Sequence, residues 1–132
     1  MSSAPKAYVE HVAIRVRDIG WHIEFFAKVF GMTVFLVDGD KEKPKQVWTV
    51  GGIQLIADPA MSDPVGCFGH IGVMAENAPA IIDAALAYGG VSHEARGRHW
   101  LILPDGIVVE VLQASPPAAV IEALAVNARK PA

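Results

Sequence analysis

The chain has 132 residues and a mass of 14.1 kDa, a length typical of a single domain. Apolar residues make up 52% of it and charged residues 19%, which excludes intrinsic disorder and leaves much surface to be buried in a core or against a partner. A formal net charge of −3, with no basic block, argues against a nucleic-acid partner.

Cysteine content and apolar runs indicate the compartment. The single cysteine, Cys67, cannot form an internal disulfide and fits a reducing compartment, and nothing near it suggests an activated thiolate. The N-terminus has no apolar run typical of a signal peptide, and no stretch approaches the ~18 residues that span a bilayer. We therefore expect a cytoplasmic protein with no membrane partner.

The first half of the chain predicts a strand, a helix and three more strands. Residues 8–16 alternate polar and β-branched positions, as strands do. Asp18 is placed to cap a helix over 19–30, which ends at Gly31. Three further strands are predicted at 33–37, 46–50 and 53–57, separated by a charged turn over 38–45 and by a Gly51-Gly52 hairpin.

The second half predicts the same order of elements. A linker over 58–69 is rich in proline and glycine. A strand at 70–74, a helix at 78–88 that ends at Gly89-Gly90, and strands at 91–93, 100–103 and 107–112 follow it. The tail, 116–132, predicts a last helix that packs on the body of the protein or on a second subunit.

The spacing of the two halves indicates an internal duplication. His11 lies 20 residues before Gly31, and His70 lies 20 residues before Gly90. Gln54 follows His11 by 43 residues, and Glu110 follows His70 by 40. We predict one α+β domain of two βαβββ modules, about 8–58 and 69–115, which form a curved eight-stranded mixed sheet with the helices outside.

Four polar side chains occupy equivalent points of the two repeats. Alternation along each strand puts His11, Gln54, His70 and Glu110 on the face opposite the helices, among apolar neighbours. A buried carboxylate is costly unless it is paired or binds a metal, and two imidazoles with a carboxylate are a common ligand set for a divalent ion. A lone histidine is more often a structural residue, but the duplicated placement favours a metal site, with the Gln54 oxygen as a fourth ligand.

Four segments of the sequence resemble one superfamily. HVAIRVRDIGWHIEFFAKVFGM, GGIQLIADP, GHIGVMAENAPAIIDAALAYGG and LPDGIVVEVLQ are similar, in this order, to signature segments of the vicinal oxygen chelate superfamily. That superfamily includes glyoxalase I, methylmalonyl-CoA epimerase, extradiol dioxygenases and the fosfomycin- and bleomycin-resistance proteins. The resemblance covers roughly residues 8–115. It implies metal ligands at His11, Gln54, His70 and Glu110, and a homodimer.

The resemblance also implies a range of activities. It favours an isomerase, epimerase or lyase that uses one divalent ion (Zn, Ni, Co, Mn, Mg or Fe) on a small substrate chelated through adjacent oxygens, with Glu110 as the base. The His, Gln, His, Glu order is nearest to methylmalonyl-CoA epimerase and glyoxalase I. Two departures stand out, because QVWTV holds no carboxylate where the epimerases have a glutamate, and glyoxalase I has a glutamate where this chain has Gln54.

Two alternatives remain open. An extradiol dioxygenase needs two histidines and a glutamate for Fe(II), which His11, His70 and Glu110 would supply, with His93 or His99 as candidates for its additional acid. A resistance-type protein would instead bind a drug or metabolite without a metal.

Five further side chains are candidates for substrate contact. Arg15 lies on the strand face of His11 and could hold an anionic group of the substrate, or could simply reach solvent. Tryptophans at strand positions are more often core or dimer contacts than platforms for a substrate. The complete candidate set is Arg15, Trp48, Arg98, His99 and Trp100.

Overall fold

Two copies of the same element order make up the chain, as predicted. The computed structural model describes residues 5–30, 32–62 and 67–125. The strands are β1 (Ala7–Val16), β2 (Val34–Gly39), β3 (Pro44–Thr49), β4 (Ile53–Ala57), β5 (Phe68–Ala75), β6 (Ser92–His93), β7 (Trp100–Ile102) and β8 (Val108–Gln113). The helices are α1 (Ile19–Phe30), α2 (Ala78–Tyr88) and α3 (Ala118–Ala125). None of the described helices is long and apolar enough to cross a membrane.

The strands form one eight-stranded mixed sheet in the order β2-β3-β4-β1-β5-β8-β7-β6. β1 pairs with β4 in parallel, and the β2-β3, β3-β4, β6-β7 and β7-β8 pairs are antiparallel. Each module therefore contributes four strands and one helix, and the predicted fold class is confirmed.

A side-chain cap fixes the start of α1. The backbone nitrogen of Trp21 donates to Asp18 Oδ1 at 3.0 Å, which satisfies one of the free donors of the first helical turn. The helix begins at Ile19 and ends at Phe30, as the apolar spacing predicts. The predicted cap, Gly31, lies outside the described residues.

The charged turn is shorter than predicted. The prediction placed it at 38–45, but β2 continues through Gly39 and β3 begins at Pro44. Asp38 pairs with Gln46 and Gly39 with Pro44. The antiparallel β2-β3 ladder therefore extends into the charged stretch, which the charge pattern alone predicts as a turn.

The remaining boundaries differ by one or two residues. β6 and β7 are each a residue shorter than predicted, and β8 starts one residue later and extends one residue further. In the Gly51-Gly52 hairpin both glycines have positive φ, 110° and 99°, a conformation that side-chain-bearing residues rarely adopt.

Contacts group the chain into two compact units, which we call the first and second units. The first unit spans His11–Ile71. Its core contains Val16, Val47 and Leu55, and partly buried α1 residues such as Ile23 and Phe26 pack against them. The apolar positions of β1 and β4 thus lie under α1, so the alternate positions of those strands lie on the opposite face.

The second unit joins the described residues up to Glu10 with those from Gly72 onward. Its core contains Ala75, Ile82 of α2, Leu101 and Val111. α2 is capped by Asn77, whose side-chain oxygen accepts from the Ala80 backbone nitrogen at 3.1 Å. α3 buries Val120. The rest of the predicted tail, 126–132, lies outside the described residues.

Candidate metal site

The first unit brings two buried histidines together. His11 on β1 and His70 on β5 are 4% and 5% exposed. Their Nε2 atoms lie 3.1 Å apart, and the rings meet edge to face with centroids 5.2 Å apart. In the neutral tautomers that fit this contact, one nitrogen donates and the other accepts.

Close approach of the two strands makes this contact possible. Gly69 precedes His70, and a Cβ atom at Gly69 would lie 3.1 Å from the backbone oxygen of Ala13. A larger residue would crowd β1, so the absence of a side chain at Gly69 lets β5 lie close beside it. Ala13 itself is fully buried and lies two residues after His11, on the same face of β1.

Gln54 lies on the same face as the histidine pair. It pairs with Ala13 across the parallel β1-β4 ladder, which makes it a diagonal neighbour of His11. Its side chain is 3% exposed, and its Nε2 donates to Gln46 Oε1 at 2.7 Å. Among the described residues, Gln54 Oε1 is the buried side-chain atom without a hydrogen-bond partner.

These residues fit a divalent ion. Two nitrogens bound about 2.1 Å from one ion, at the angles of tetrahedral or octahedral sites, lie about 3.0–3.4 Å apart, and the two Nε2 atoms are 3.1 Å apart. A buried carbonyl oxygen without a partner is costly unless a donor or cation satisfies it. Imidazole nitrogens with an amide oxygen suit several divalent ions.

Glu110 and Trp100 form a cross-strand pair in the second unit. Glu110 lies on β8 opposite Trp100 of β7, so the two side chains share one face of the hairpin. Both residues are half-buried and both make further interactions. Val109 and Val111, the neighbours of Glu110 along the strand, pack into the α2 core on the other face.

The Arg96 guanidinium lies over one face of the Trp100 ring. The Arg96 guanidinium carbon lies 3.7 Å from the ring centroid, and Arg96 Nε donates to Glu94 Oε2 at 2.6 Å. The hydrogen bond from Arg96 lowers the pKa of the Glu94 carboxyl below its ordinary value. The arginine therefore covers part of the surface that a substrate could stack on.

Two other candidates from the same loop lie toward α2. Arg98 donates to Asp83 Oδ1 of α2 at 2.8 Å, and both side chains are exposed. Arg98 and His99 also line a cavity of about 360 Å³ together with residues of α2 and β8. Since α2 packs on the face of β8 opposite Glu110, Arg98 and Glu110 lie on different sides of that strand.

The first unit holds the other two candidates. Arg15 Nε lies 3.7 Å from Asp58 Oδ2, in an ion pair whose side chains are more than a third exposed. Trp48 of β3 is half-buried and pairs with Gln54 across β3 and β4. Trp48 therefore lies on the face that carries Gln54, directly across from that residue on the neighbouring strand.

Two polar residues that the sequence pattern does not predict at the site, Gln46 and Asp38, are linked to Gln54 by hydrogen bonds in series. Gln46 Nε2 donates to Asp38 Oδ2 at 2.9 Å, and Gln46 Oε1 accepts from Gln54. The sequence pattern predicts Asp38 within the charged turn, and the segment that contains Gln46 stands out only for its lack of a carboxylate. The alternation of Gln46 and Trp48 along β3 was the available signal, since it puts both on one strand face.

No protein-family model and no curated protein matches the sequence. Solved structures do match in fold. A variant of Streptomyces coelicolor methylmalonyl-CoA epimerase in complex with 2-nitronate-propionyl-CoA superposes with a TM-score of 0.56 at 18% identity, over 81% of this chain and 96% of that one. The Mycobacterium tuberculosis methylmalonyl-CoA epimerase gives 0.57 at 18% identity, over 84% and 90%.

A dioxygenase has the same fold. The 2,3-dioxygenase LapB of a Pseudomonas species superposes with a TM-score of 0.58 at 16% identity, over 80% of this chain and 42% of that one. The chain therefore has the vicinal oxygen chelate fold, which confirms the architecture that the four sequence segments imply. At these identities the similarity extends to the fold alone.

Proposed function

We propose that the protein is a divalent-metal-dependent isomerase, epimerase or lyase that acts on a small substrate chelating the ion through adjacent oxygens. The observation that carries this proposal is the close pair of Nε2 atoms of the buried His11 and His70, together with the buried, unpartnered oxygen of Gln54 on the same face of the sheet. The fold shared with two methylmalonyl-CoA epimerases supports this class of reaction.

His11, His70, Gln54 and Glu110 would hold the ion. We assign Glu110 of β8 to this set because two imidazoles with a carboxylate are a common ligand set for a divalent ion. Imidazoles and an amide are uncharged, so Glu110 is the one anionic side chain of this set. When bound, a divalent ion supplies Lewis-acid stabilisation of negative charge that develops on a substrate oxygen.

Glu110 is the proposed proton acceptor. Its carboxylate would take the proton from the carbon next to the chelated oxygens and return it to the same or the neighbouring carbon. A positioned base of this kind typically contributes ~10²–10⁴-fold to the rate. The first unit holds no carboxylate on β3, where Gln46 and Trp48 occupy the face, so we assign the base to β8.

Substrate contacts are proposed from both units. Arg15 would hold a carboxylate or phosphate of the substrate by exchanging its long ion pair with Asp58 for a shorter one. Trp48 and Trp100 would border the substrate because each pairs across its hairpin with a proposed ligand, Gln54 or Glu110. Arg98 and His99 line the cavity on the α2 side of β8, so we propose no contact between them and a substrate held at Glu110.

Proton exchange tests the proposal directly. The purified protein is loaded with each divalent ion, its metal content is measured, and 2-oxygenated acids and thioesters are incubated with it in D₂O. We expect one ion per chain and incorporation of deuterium at the carbon next to the carbonyl. Glu110→Gln keeps an oxygen donor but loses the base, so exchange should fall by ~10²–10⁴-fold. Protein that binds no ion under any loading condition would indicate a metal-free binder of a drug or metabolite.

The second candidate function is an Fe(II) ring-cleaving dioxygenase. The fold shared with LapB favours it, and His11, His70 and Glu110 have the side-chain types of the two-histidine, one-carboxylate iron site. Oxygen uptake by the iron-loaded protein with a panel of catechols separates the two functions. Uptake without deuterium exchange would replace the isomerase proposal with this one.

We also propose that the chain forms a homodimer. Several large apolar side chains of the first unit are exposed, among them Trp21, Val29 and Phe30 of α1. Light scattering after size exclusion should give about twice the chain mass of 14.1 kDa, and a monomer mass would contradict the proposal.

A further inference from the structure

Three polar side chains form a chain of hydrogen bonds across β2, β3 and β4. Gln54 Nε2 donates to Gln46 Oε1 at 2.7 Å, and Gln46 Nε2 donates to Asp38 Oδ2 at 2.9 Å. Asp38 is exposed, Gln46 is half-buried and Gln54 is buried, so the chain leads from solvent to the buried face. We call these three residues the polar relay.

Asp38 determines the direction of the polar relay. An ionised carboxylate only accepts hydrogen bonds, so Gln46 must turn its NH₂ group toward Asp38. The carbonyl of Gln46 then faces Gln54, and only the NH₂ group of Gln54 can satisfy it. The charge of Asp38 thus fixes the orientation of both side-chain amides.

The consequence is that Gln54 must present its oxygen away from the relay. That oxygen is the buried, unpartnered atom identified above. With its nitrogen engaged by Gln46, the side chain has no low-cost way to flip and offer a donor instead. Hydrogen bonds in series also polarise one another, so the negative charge of Asp38 increases electron density on the Gln54 oxygen without placing a charge beside it.

We propose that Asp38 and Gln46 are positioning residues that hold the Gln54 oxygen as a polarised, neutral ligand for a divalent cation. This inference rests on the proposed metal site. Under this proposal, Asp38 and Gln46 raise the affinity for the cation even though Asp38 is exposed to solvent. Neither residue would affect cation affinity if the Gln54 side chain only filled space.

Cobalt affinity tests the relay. Binding of Co²⁺ alone to the full chain is measured by absorbance and calorimetry, which requires no activity. Outer partners of a metal ligand typically change affinity by ~10–100-fold, and we expect Gln46→Met and Asp38→Asn each to weaken Co²⁺ binding within this range. Asp40→Asn removes the same charge two residues away, outside the relay, and should leave the affinity unchanged.

A double substitution separates the relay from simple electrostatics. If Asp38 acts through Gln46, then Asp38→Asn has no further effect in the Gln46→Met background, whereas a direct effect of its charge would persist there. A merely structural role of Gln46 would not make the effect of Asp38→Asn on Co²⁺ affinity depend on residue 46.

The outcomes distinguish the two proposals. Wild-type affinity in Gln46→Met, with binding abolished in His70→Ala, would overturn the relay and leave the metal site standing. Additive effects of Asp38→Asn and Gln46→Met would also overturn it. No Co²⁺ binding by the wild-type protein would overturn both. Asp38 is exposed, so Asp38→Asn provides a folded variant even where a substitution at Gln46 impairs folding.

Discussion

Substitution of His70 by alanine should remove the stabilisation that a divalent ion gives to the fold. An ion that binds the folded chain and not the unfolded one stabilises it by about 2.7 kcal/mol at a hundred times its Kd. With an unfolding entropy of about 2.1 cal/mol/K per residue, a 132-residue chain gains roughly 10 °C in Tm from that energy. The wild-type protein should show this increment with its preferred ion.

The same ion concentration should have little effect on His70→Ala. Loss of one of two converging imidazoles should weaken affinity by at least the ~100-fold upper range seen for outer partners of metal ligands. For His70→Ala, the same ion concentration is then about equal to the Kd. Binding at that concentration stabilises the folded variant by about 0.4 kcal/mol and raises its Tm by about 1.5 °C.

The assay is a thermal melt of each variant with and without the ion. His70→Ala also costs about 1–3 kcal/mol by removing a buried hydrogen-bond partner of His11, so the ion-dependent increment is compared rather than the absolute Tm. His22→Ala is the matched control, since that ring contacts the Asp18 backbone oxygen at 2.7 Å on α1 and should keep the full increment. If the ion raised the Tm of His70→Ala as much as that of the wild-type protein, His70 would not be a ligand of the ion.

Three further predictions concern stability. Leu55→Ala should lower the free energy of unfolding by about 2–5 kcal/mol in urea titrations, because Leu55 is fully buried, and a loss below 1 kcal/mol would contradict this assignment of the core. Gly51→Ala should cost about 1–3 kcal/mol because φ is 110° and the new Cβ would lie 2.8 Å from Met32 Cε, whereas Gly20→Ala in α1 should stabilise by about 0.4–1 kcal/mol. If Gly51→Ala and Gly20→Ala changed the free energy of unfolding equally, the positive φ of Gly51 would not be the cause of the cost. Asn77→Ala should cost about 1 kcal/mol and weaken amide-exchange protection at the start of α2.

Local pattern was sufficient for the element order and for the bounds of two helices. Apolar spacing, Asp18 before α1 and the glycines after α2 are signals within a few residues of the structure they specify, and both helices begin and end where predicted. The duplication then implied two equivalent modules, and the sheet order confirms the fold class. Alternation also placed His11 and Gln54 on the face opposite α1.

Only the tertiary structure decided which side chains meet. His11 and His70 are 59 residues apart in the chain, and the 3.1 Å between their nitrogens depends on β1 lying beside β5 with a glycine at the close approach. The sequence predicts Asp38 in a charged turn, whereas the β2-β3 register pairs it with Gln46. Arg98, a rim candidate by sequence, reaches Asp83 of α2. Strand register and packing arise from hydrogen bonds and contacts between distant segments, and a one-residue shift reverses every face, so no local pattern contains that information.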